Sequence, residues 1–141
     1  MAEDQDRFAE IRVGDKASMI REIDDADVRA FAKITRDTNP IHLNDQYAQR
    51  SIFKRRVVHG LFSAAIIGAV LGTQLPGPGS IYLSQTLRFM AATCIGDTIT
   101  ATVEVTEKIT EKRWVKLRTS CTNQQGKQVI DGEALMLIPQ R

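Results

Sequence analysis

Acid–base chemistry in this chain is concentrated in one polar loop, Asp37-Thr-Asn-Pro-Ile-His42, which holds the first of only two histidines. A carboxylate and an imidazole five positions apart, across a turn fixed by proline, can converge on a single water. Such a pair supplies a general base and a general acid within hydrogen-bond reach of one reacting centre. Asp and Asn also form turns by capping their own backbone, so a purely structural role remains open on these residues alone.

The second histidine precedes a long apolar segment, as His59-Gly60. The first N–H groups of a helix have no intrahelical partners and carry the positive end of the helix dipole, so they can stabilise a carbonyl oxygen that gains negative charge. Gly60 has no side chain to block a substrate. The alternative is that His59 caps or packs and Gly60 only allows a turn. We expect the Ser63 hydroxyl to be satisfied within its helix and not to act as a nucleophile, since no Gly-x-Ser-x-Gly elbow surrounds it.

The one dense basic run is Lys54-Arg55-Arg56. It can bind phosphates of a nucleotide-containing substrate, but a solvated loop is the favoured interpretation. The chain has no Cys-x-x-Cys and no His-Glu-x-x-His motif, and its two histidines are seventeen positions apart. We therefore predict no metal and no bound cofactor.

The composition limits the classes of function. At 141 residues, with 43% hydrophobic and 26% charged residues, the chain is predicted to be one globular domain over residues 1–141. A net charge of +2 does not call for a nucleic-acid partner. The start lacks the features of a secretion signal, and the apolar segment 60–72 is shorter than the roughly 20 residues of a membrane span. Cys94 and Cys121 match no metal-ligand pair and are expected to be buried thiols, so we expect a reducing, cytoplasmic location and no membrane partner.

The elements that must position these residues begin with a predicted strand at residues 16–23. Asp24 and Asp25 are suitable caps for a short amphipathic helix. That helix must end before Pro40, which leaves Asp37 to His42 as a loop. A second short helix is predicted around residues 45–50.

The rest of the chain predicts one helix and an antiparallel sheet. Residues 60–71 are apolar on every face, which indicates a helix buried on all sides. Segments 81–89, 99–106 and 115–122 alternate with period two, as strands with one dry face do. A last strand at 129–138 is expected to be central or covered. The fold class is therefore α+β, with the sheet curled around the helix, and pairing of exposed edge strands predicts a homodimer.

Together these segments resemble the MaoC-like hydratases, specifically the short single-domain (R)-specific enoyl-CoA hydratases. That family's signature is Asp-x-Asn-Pro-(Leu/Ile)-His, matched here by residues 37–42, and a His-Gly helix start, matched by Val58-His59-Gly60-Leu61. Gly77 to Leu83 and Gly96-Asp97 are also similar, so the resemblance covers most of the chain. It departs at Thr35-Arg36, where the family often has Ser-Gly, and at Asn44, where it often has Asp.

The resemblance implies a hot-dog fold, a homodimer that can pair into a dimer of dimers, and a place in fatty acid metabolism. It implies that Asp37 and His42 are catalytic, that Asn39 supports the loop beside the substrate, and that the Gly60 N–H is the oxyanion donor. The substrate implied is a trans-2-enoyl thioester of coenzyme A, hydrated to an (R)-3-hydroxyacyl-CoA without a cofactor. Two rivals remain, an acyl-CoA thioesterase on the same fold and a non-catalytic module that binds acyl thioesters. Arg36 either acts on Asp37 or contacts substrate phosphate, and the sequence leaves this open.

Overall fold

Five antiparallel strands form one sheet, and one long helix packs against it, in a computed structural model that describes residues 6–140. The strands are β1 (Lys16–Glu22), β2 (Ile81–Phe89), β3 (Thr98–Ile109), β4 (Trp114–Thr122) and β5 (Gln128–Leu137). The helices are α1 (Arg7–Glu10), α2 (Asp25–Thr35), α3 (Pro40–Leu43), α4 (Asp45–Gln49) and α5 (Gly60–Thr73), and a 3₁₀ turn at Thr110–Lys112 joins β3 to β4. The α+β architecture, with an antiparallel sheet curled against one long central helix, is confirmed.

The strand order in the sheet is β1-β3-β4-β5-β2. β5 therefore has a neighbour on each side, as its apolar pattern predicted, and β1 and β2 form the two edges. Residues Val115 and Met136 lie opposite each other in the β4–β5 pair, and Met19 lies opposite Ala101 in the β1–β3 pair. Short connections join β3, β4 and β5 as antiparallel neighbours, whereas β1 and β2 are separated in the chain by α2 to α5 and lie at opposite edges of the sheet.

The core lies between α5 and the concave face of the sheet. α5 contributes Ile66, Ile67, Val70 and Leu71, and all four are buried. Alternate residues of β3 pack in the same cluster: Ile99, Ala101, Val103 and Val105. The period-two pattern of β3 therefore identified its dry face correctly.

The prediction that α5 is buried on every side is wrong for the chain taken alone. Leu61 is 61% exposed and Ala65 is also exposed, while Ser63, Ile66 and Ile67 are buried. The sheet covers only one side of a helix that is apolar all round, which leaves an apolar stripe facing outward.

The dry face predicted for β2 is also wrong in the single chain. Ile81, Leu83 and Phe89 are each more than 40% exposed, and Leu87 is half-buried. The pairing of β2 with β5 shifts register between Tyr82 and Ser84, which interrupts the alternation. β2 is therefore an apolar edge strand on the same side of the molecule as the exposed stripe of α5.

The short helices before α5 carry the polar loop. α2 begins with a capping box in which Asp24 and Asp27 accept each other's backbone N–H, and it ends at Arg36 in the left-handed conformation. The predicted loop to His42 is shorter than expected, because Pro40 begins the one-turn helix α3 rather than prolonging the loop. Proline suits the first position of a helix, since its missing N–H is not needed there.

Both cysteines are free and buried, as predicted. Within residues 6–140, no helix is both long and apolar enough to cross a membrane.

Candidate active site

The polar loop is held by its own side chains. The Asp37 N–H donates to Thr35 Oγ1 at 3.2 Å, and Asp37 Oδ1 accepts the Asn39 N–H at 3.3 Å. Asn39 Oδ1 caps α3 by accepting the Ile41 N–H at 3.2 Å. The turn hydrogen bonds and the candidate carboxylate are therefore parts of one arrangement, in which Asn39 bonds to both Asp37 and Ile41.

The orientation of the His42 ring fixes which nitrogen can accept a proton. Its Nδ1 lies 2.8 Å from the carbonyl oxygen of Val57, which can only accept a hydrogen bond, so Nδ1 carries the proton. In the neutral ring, Nε2 then holds the free lone pair. Val57 is itself fixed, because its N–H donates to Ile41 O at 3.3 Å.

Burial lowers the pKa of His42 below its ordinary value, with a smaller contribution in the same direction from His59. The hydrogen bond to Val57 and the charge of Asp37 oppose this shift without cancelling it. A lowered pKa keeps the imidazole neutral near pH 7. His42 is therefore ready to take a proton at Nε2.

His59 packs and does not cap. Its ring is 2% exposed and makes no capping hydrogen bond to α5. It lies between Phe31, at 4.8 Å between ring centroids, and His42, at 3.7 Å with the planes inclined by 25°. Its Nε2–H donates to the Asp37 carbonyl oxygen at 3.0 Å. This residue ties the start of α5 to the loop, a role that only its position next to Gly60 hinted at.

Ligand-type atoms of Asp37, His42 and His59 lie within 4.8 Å of one another. Two histidines bind one ion when their lone pairs, which lie in the ring planes, point to a common centre. The two rings here are stacked nearly parallel, and one nitrogen of each faces a backbone carbonyl. This geometry suits a proton relay better than a metal centre.

A cavity of about 460 Å³ opens beside these groups. His42 and Gly60 lie on its wall, which is otherwise mostly apolar and is completed by Ile41, Phe53, Val57, Val58, Ser63, Phe89, Met90, Ala91, Ala92, Thr93 and Ile130. Asp37 and Asn39 are exposed and lie outside this wall, although Asp37 is within reach of His42. The structure therefore brings His42 and Gly60 to one cavity with Asp37 close to His42, whereas Asn39 does not line this cavity.

The ring of Phe89 lies close against one side of Gly60. A Cβ built on it would lie 2.5 Å from Cε1 of Phe89, closer than a side chain can approach without displacing the ring. The His59 side chain leaves the first N–H groups of α5 uncapped, and Gly60 lies on the cavity wall. The start of α5 can therefore offer a backbone donor to a ligand in the cavity.

Arg56 overturns the expectation of a solvated basic loop. It is 9% exposed, and its Nε–H donates to His42 O at 2.8 Å while its guanidinium contacts Asp25 at 2.5 Å. Lys54 and Arg55 remain exposed. One of the three cations therefore holds the backbone at His42, and the local sequence gave no signal to separate it from its neighbours.

The expectation for Ser63 is also wrong. Its residue is 2% exposed and, within residues 6–140, its Oγ has no hydrogen-bond partner. The hydroxyl is therefore not satisfied inside the helix, although the residue lies on the cavity wall.

An antiparallel sheet curled against one central helix, with a carboxylate and an imidazole beside the start of that helix, defines a hot-dog protein with groups suited to acid–base chemistry. The chain belongs to the MaoC-like domain family, whose model matches residues 9–128.

Relatives support this placement. The chain is 51% identical to an (R)-specific enoyl-CoA hydratase of Rhodospirillum rubrum over 95% of its length and 92% of that protein's. It is 47% identical to a 3-hydroxybutyryl-CoA dehydratase of Methylorubrum extorquens, over 95% of this chain and 85% of that protein. The solved structure of an (R)-hydratase from A. caviae involved in PHA biosynthesis superposes with a TM-score of 0.89 at 40% identity, covering 92% of this chain and 98% of that one.

Proposed function

We propose that this protein hydrates trans-2-enoyl-CoA to (R)-3-hydroxyacyl-CoA, and catalyses the reverse dehydration, within fatty acid metabolism. The observation that carries the proposal is that the unprotonated Nε2 of His42 and the uncapped start of α5 at Gly60 share one cavity, with the Asp37 carboxylate in reach. The catalytic unit is a single domain, and it needs neither metal nor cofactor.

The chemistry follows from this arrangement. The Gly60 N–H donates to the thioester oxygen, which withdraws electrons from the double bond and makes C3 electrophilic. Asp37 and His42 hold one water; it loses a proton to the pair as its oxygen bonds to C3. The pair then returns a proton to C2 on the same face. Negative charge grows on the thioester oxygen in the transition state, so a donor fixed in advance accelerates the chemical step.

The names of the relatives support both the substrate class and the product stereochemistry. The relative from Rhodospirillum rubrum is named for (R)-specific hydration of enoyl-CoA, and the relative from Methylorubrum extorquens for dehydration of a four-carbon hydroxyacyl-CoA. A reversible reaction accounts for both names. We propose four-carbon crotonyl-CoA as the first substrate to test.

The test is a hydration assay with purified protein and crotonyl-CoA. Loss of enoyl absorbance, with an (R)-configured 3-hydroxybutyryl product by chiral chromatography, supports the proposal. A thiol-trapping dye runs in parallel, because release of free coenzyme A without hydration would identify the thioesterase instead. Binding of the thioester with neither reaction would leave a non-catalytic binding module.

We further propose that the chain works as a homodimer joined through β2. The exposed apolar stripe of α5 and the exposed edge strand line one groove, which contains Leu61, Ala64, Ala65, Tyr82, Leu83 and Leu87. Two copies related by a two-fold axis can pair antiparallel edges and bury the same groove on each side. Light scattering after size exclusion should give twice the mass of one chain. The Leu61→Glu variant should give the mass of a single chain. A wild-type monomer would contradict this proposal without affecting the activity assay.

A further inference from the structure

Ser63 presents a buried hydroxyl that the fold does not satisfy. Its residue is 2% exposed, and its Oγ has no partner within the described residues 6–140. The great majority of buried side-chain polar atoms have at least one partner, so an exception requires an explanation. Nothing in the proposed reaction uses this group.

The residues that line the cavity differ in solvent exposure, which distinguishes an open end from a closed end. Phe53, Phe89 and Met90 are each more than 40% exposed and mark the open end. Ser63 and Ile130 are each 2% exposed and mark the closed end. A substrate that enters from the open side therefore meets Ser63 after it has passed the reacting groups.

Ser63 follows Gly60 by three residues on α5, which places the two on nearly the same helix face and about 4.5 Å apart along the axis. The thioester oxygen lies at Gly60 in the proposed complex. The part of the acyl chain that runs inward along α5 then passes Ser63 beyond the double bond, at C4 or C5.

The other groups at the closed end do not form a hydrogen bond with the Ser63 hydroxyl. The Cys121 thiol of β4 donates to the Ser63 carbonyl oxygen at 3.6 Å, so it fixes the backbone of this turn. Val58 and Ile130 have apolar side chains, and Thr93, which is 6% exposed, carries the other hydroxyl among the buried residues of the wall. The Ser63 hydroxyl therefore has no hydrogen-bond partner within residues 6–140, in a wall that is otherwise mostly apolar.

We propose that Ser63 is a specificity-determining residue that hydrogen-bonds to an oxygen on the acyl chain at C4 or C5. The preferred substrates are then 2-enoyl thioesters that carry a hydroxyl beyond the double bond, rather than purely hydrocarbon chains of the same shape. This inference rests on the proposed hydration activity and names its substrate class more closely. A site that leaves its own buried polar group unpaired discriminates against the analogue that lacks the partner.

The experiment compares matched substrates. 5-Hydroxy-trans-2-hexenoyl-CoA and 5-methyl-trans-2-hexenoyl-CoA have nearly the same shape and differ by a hydroxyl in place of a methyl, and the 4-substituted pair tests the neighbouring carbon. Wild-type protein should favour the hydroxylated member of at least one pair by about tenfold in kcat/KM. Ser63→Ala should lower that ratio about a hundredfold, so that the methyl compound becomes the better substrate.

Ser80→Ala is the matched control. Its hydroxyl donates to Gly77 O at 2.7 Å beyond the far end of α5, away from the cavity. This variant should keep the wild-type substrate ratio and lose thermal stability. Ser63→Ala should instead raise Tm, because it removes a buried hydroxyl that has no partner.

Equal kcat/KM for the hydroxylated and methylated members of both pairs would overturn the inference, while hydration of crotonyl-CoA by the same preparation would leave the proposed function intact. A fall in Tm for Ser63→Ala would also overturn it, since the hydroxyl would then have a partner in the folded chain. Failure to hydrate any of these thioesters would refute the proposed function and the inference with it.

Discussion

The imidazole of His59 stacks on that of His42 with 3.7 Å between ring centroids, and its Nε2–H reaches back to the Asp37 carbonyl oxygen. One buried ring therefore contacts both members of the proposed catalytic pair. Because His59 directly precedes Gly60, the same residue also sets the distance from that pair to the start of α5. The loop and the helix are aligned by this single side chain.

This relationship makes His59 a positioning residue with a distinct signature. His59→Phe keeps an aromatic ring between Phe31 and His42 but loses the hydrogen bond to Asp37 O. We expect kcat for crotonyl-CoA to fall about 10- to 100-fold through misplacement of Asp37, with KM little changed. Thermal stability should not fall, because Phe also removes the buried, unpaired Nδ1. A loss of Tm with unchanged kcat would assign His59 to the core alone.

The proposed catalytic pair is tested by Asp37→Asn and His42→Gln, which keep the size of each side chain. Each should lower kcat by about 10²–10⁴ in the enoyl absorbance assay, because each removes a proton-transfer group. Folding of both variants is checked by circular dichroism. Near-wild-type hydration by a folded variant would refute the role of the residue concerned.

The pH dependence follows from His42. Burial lowers its pKa, and only the neutral ring accepts a proton at Nε2. We expect kcat/KM to stay constant as the pH is lowered from 7 and to decrease only at more acidic pH, with a midpoint below about 6.5. A midpoint above this value in the free enzyme would contradict the assignment.

The same shift affects stability with a definite sign. In the interval between the lowered pKa of the folded state and about 6.5, the unfolded chain binds more protons at this site than the folded one. The free energy of unfolding therefore rises with pH across this interval. Above the interval, the stability lost through protonation of His42 is fully restored. His42→Gln should flatten this part of the profile in urea titrations at a series of pH values.

Gly60→Ala tests the oxyanion position. Its Cβ would lie 2.5 Å from Phe89 Cε1, but the Phe89 side chain is 54% exposed, so the ring can turn away at little loss of stability. We expect kcat to fall about 10- to 100-fold because the methyl group crowds the thioester. Gly68→Ala in the same helix is the control: its Cβ would lie at an ordinary 3.7 Å from Tyr82, so the variant should be fully active. Unchanged catalysis with a collapsed Tm would make Gly60 a structural turn residue.

Arg56 is predicted to stabilise the folded chain around His42 and not to take part in the reaction. Arg56→Ala removes the donor to His42 O and the cation beside Asp25, and we expect a loss of about 1–3 kcal/mol in the free energy of unfolding. The pKa of Asp25, held low chiefly by its hydrogen bond to Arg56, should rise in NMR titration. Arg55→Ala, at an exposed neighbour, should change neither quantity. Equal effects of the two substitutions would show that Arg56 contributes no more than its exposed neighbour and would contradict this role.

The sequence by itself determined the main helices and strands and identified the candidate reacting groups. Periods of two and an unbroken apolar run are properties of neighbouring residues, so β3, β4 and α5 were predictable from their side chains alone. The turn residues Asp37, Asn39 and Pro40 likewise act on their own backbone, which is why the start of the loop was predictable, although the loop ends at Pro40 and not at His42.

Only the tertiary structure decided how these parts face one another. The protonated nitrogen of His42 depends on Val57, fifteen residues away, and the burial of Arg56 depends on Asp25, thirty-one residues away. The sheet covers one side of α5 and leaves Leu61 outside, and the apolar composition of the helix contains no information about which side that is. Such contacts arise from the meeting of distant surfaces, so they lie beyond what local spacing can encode.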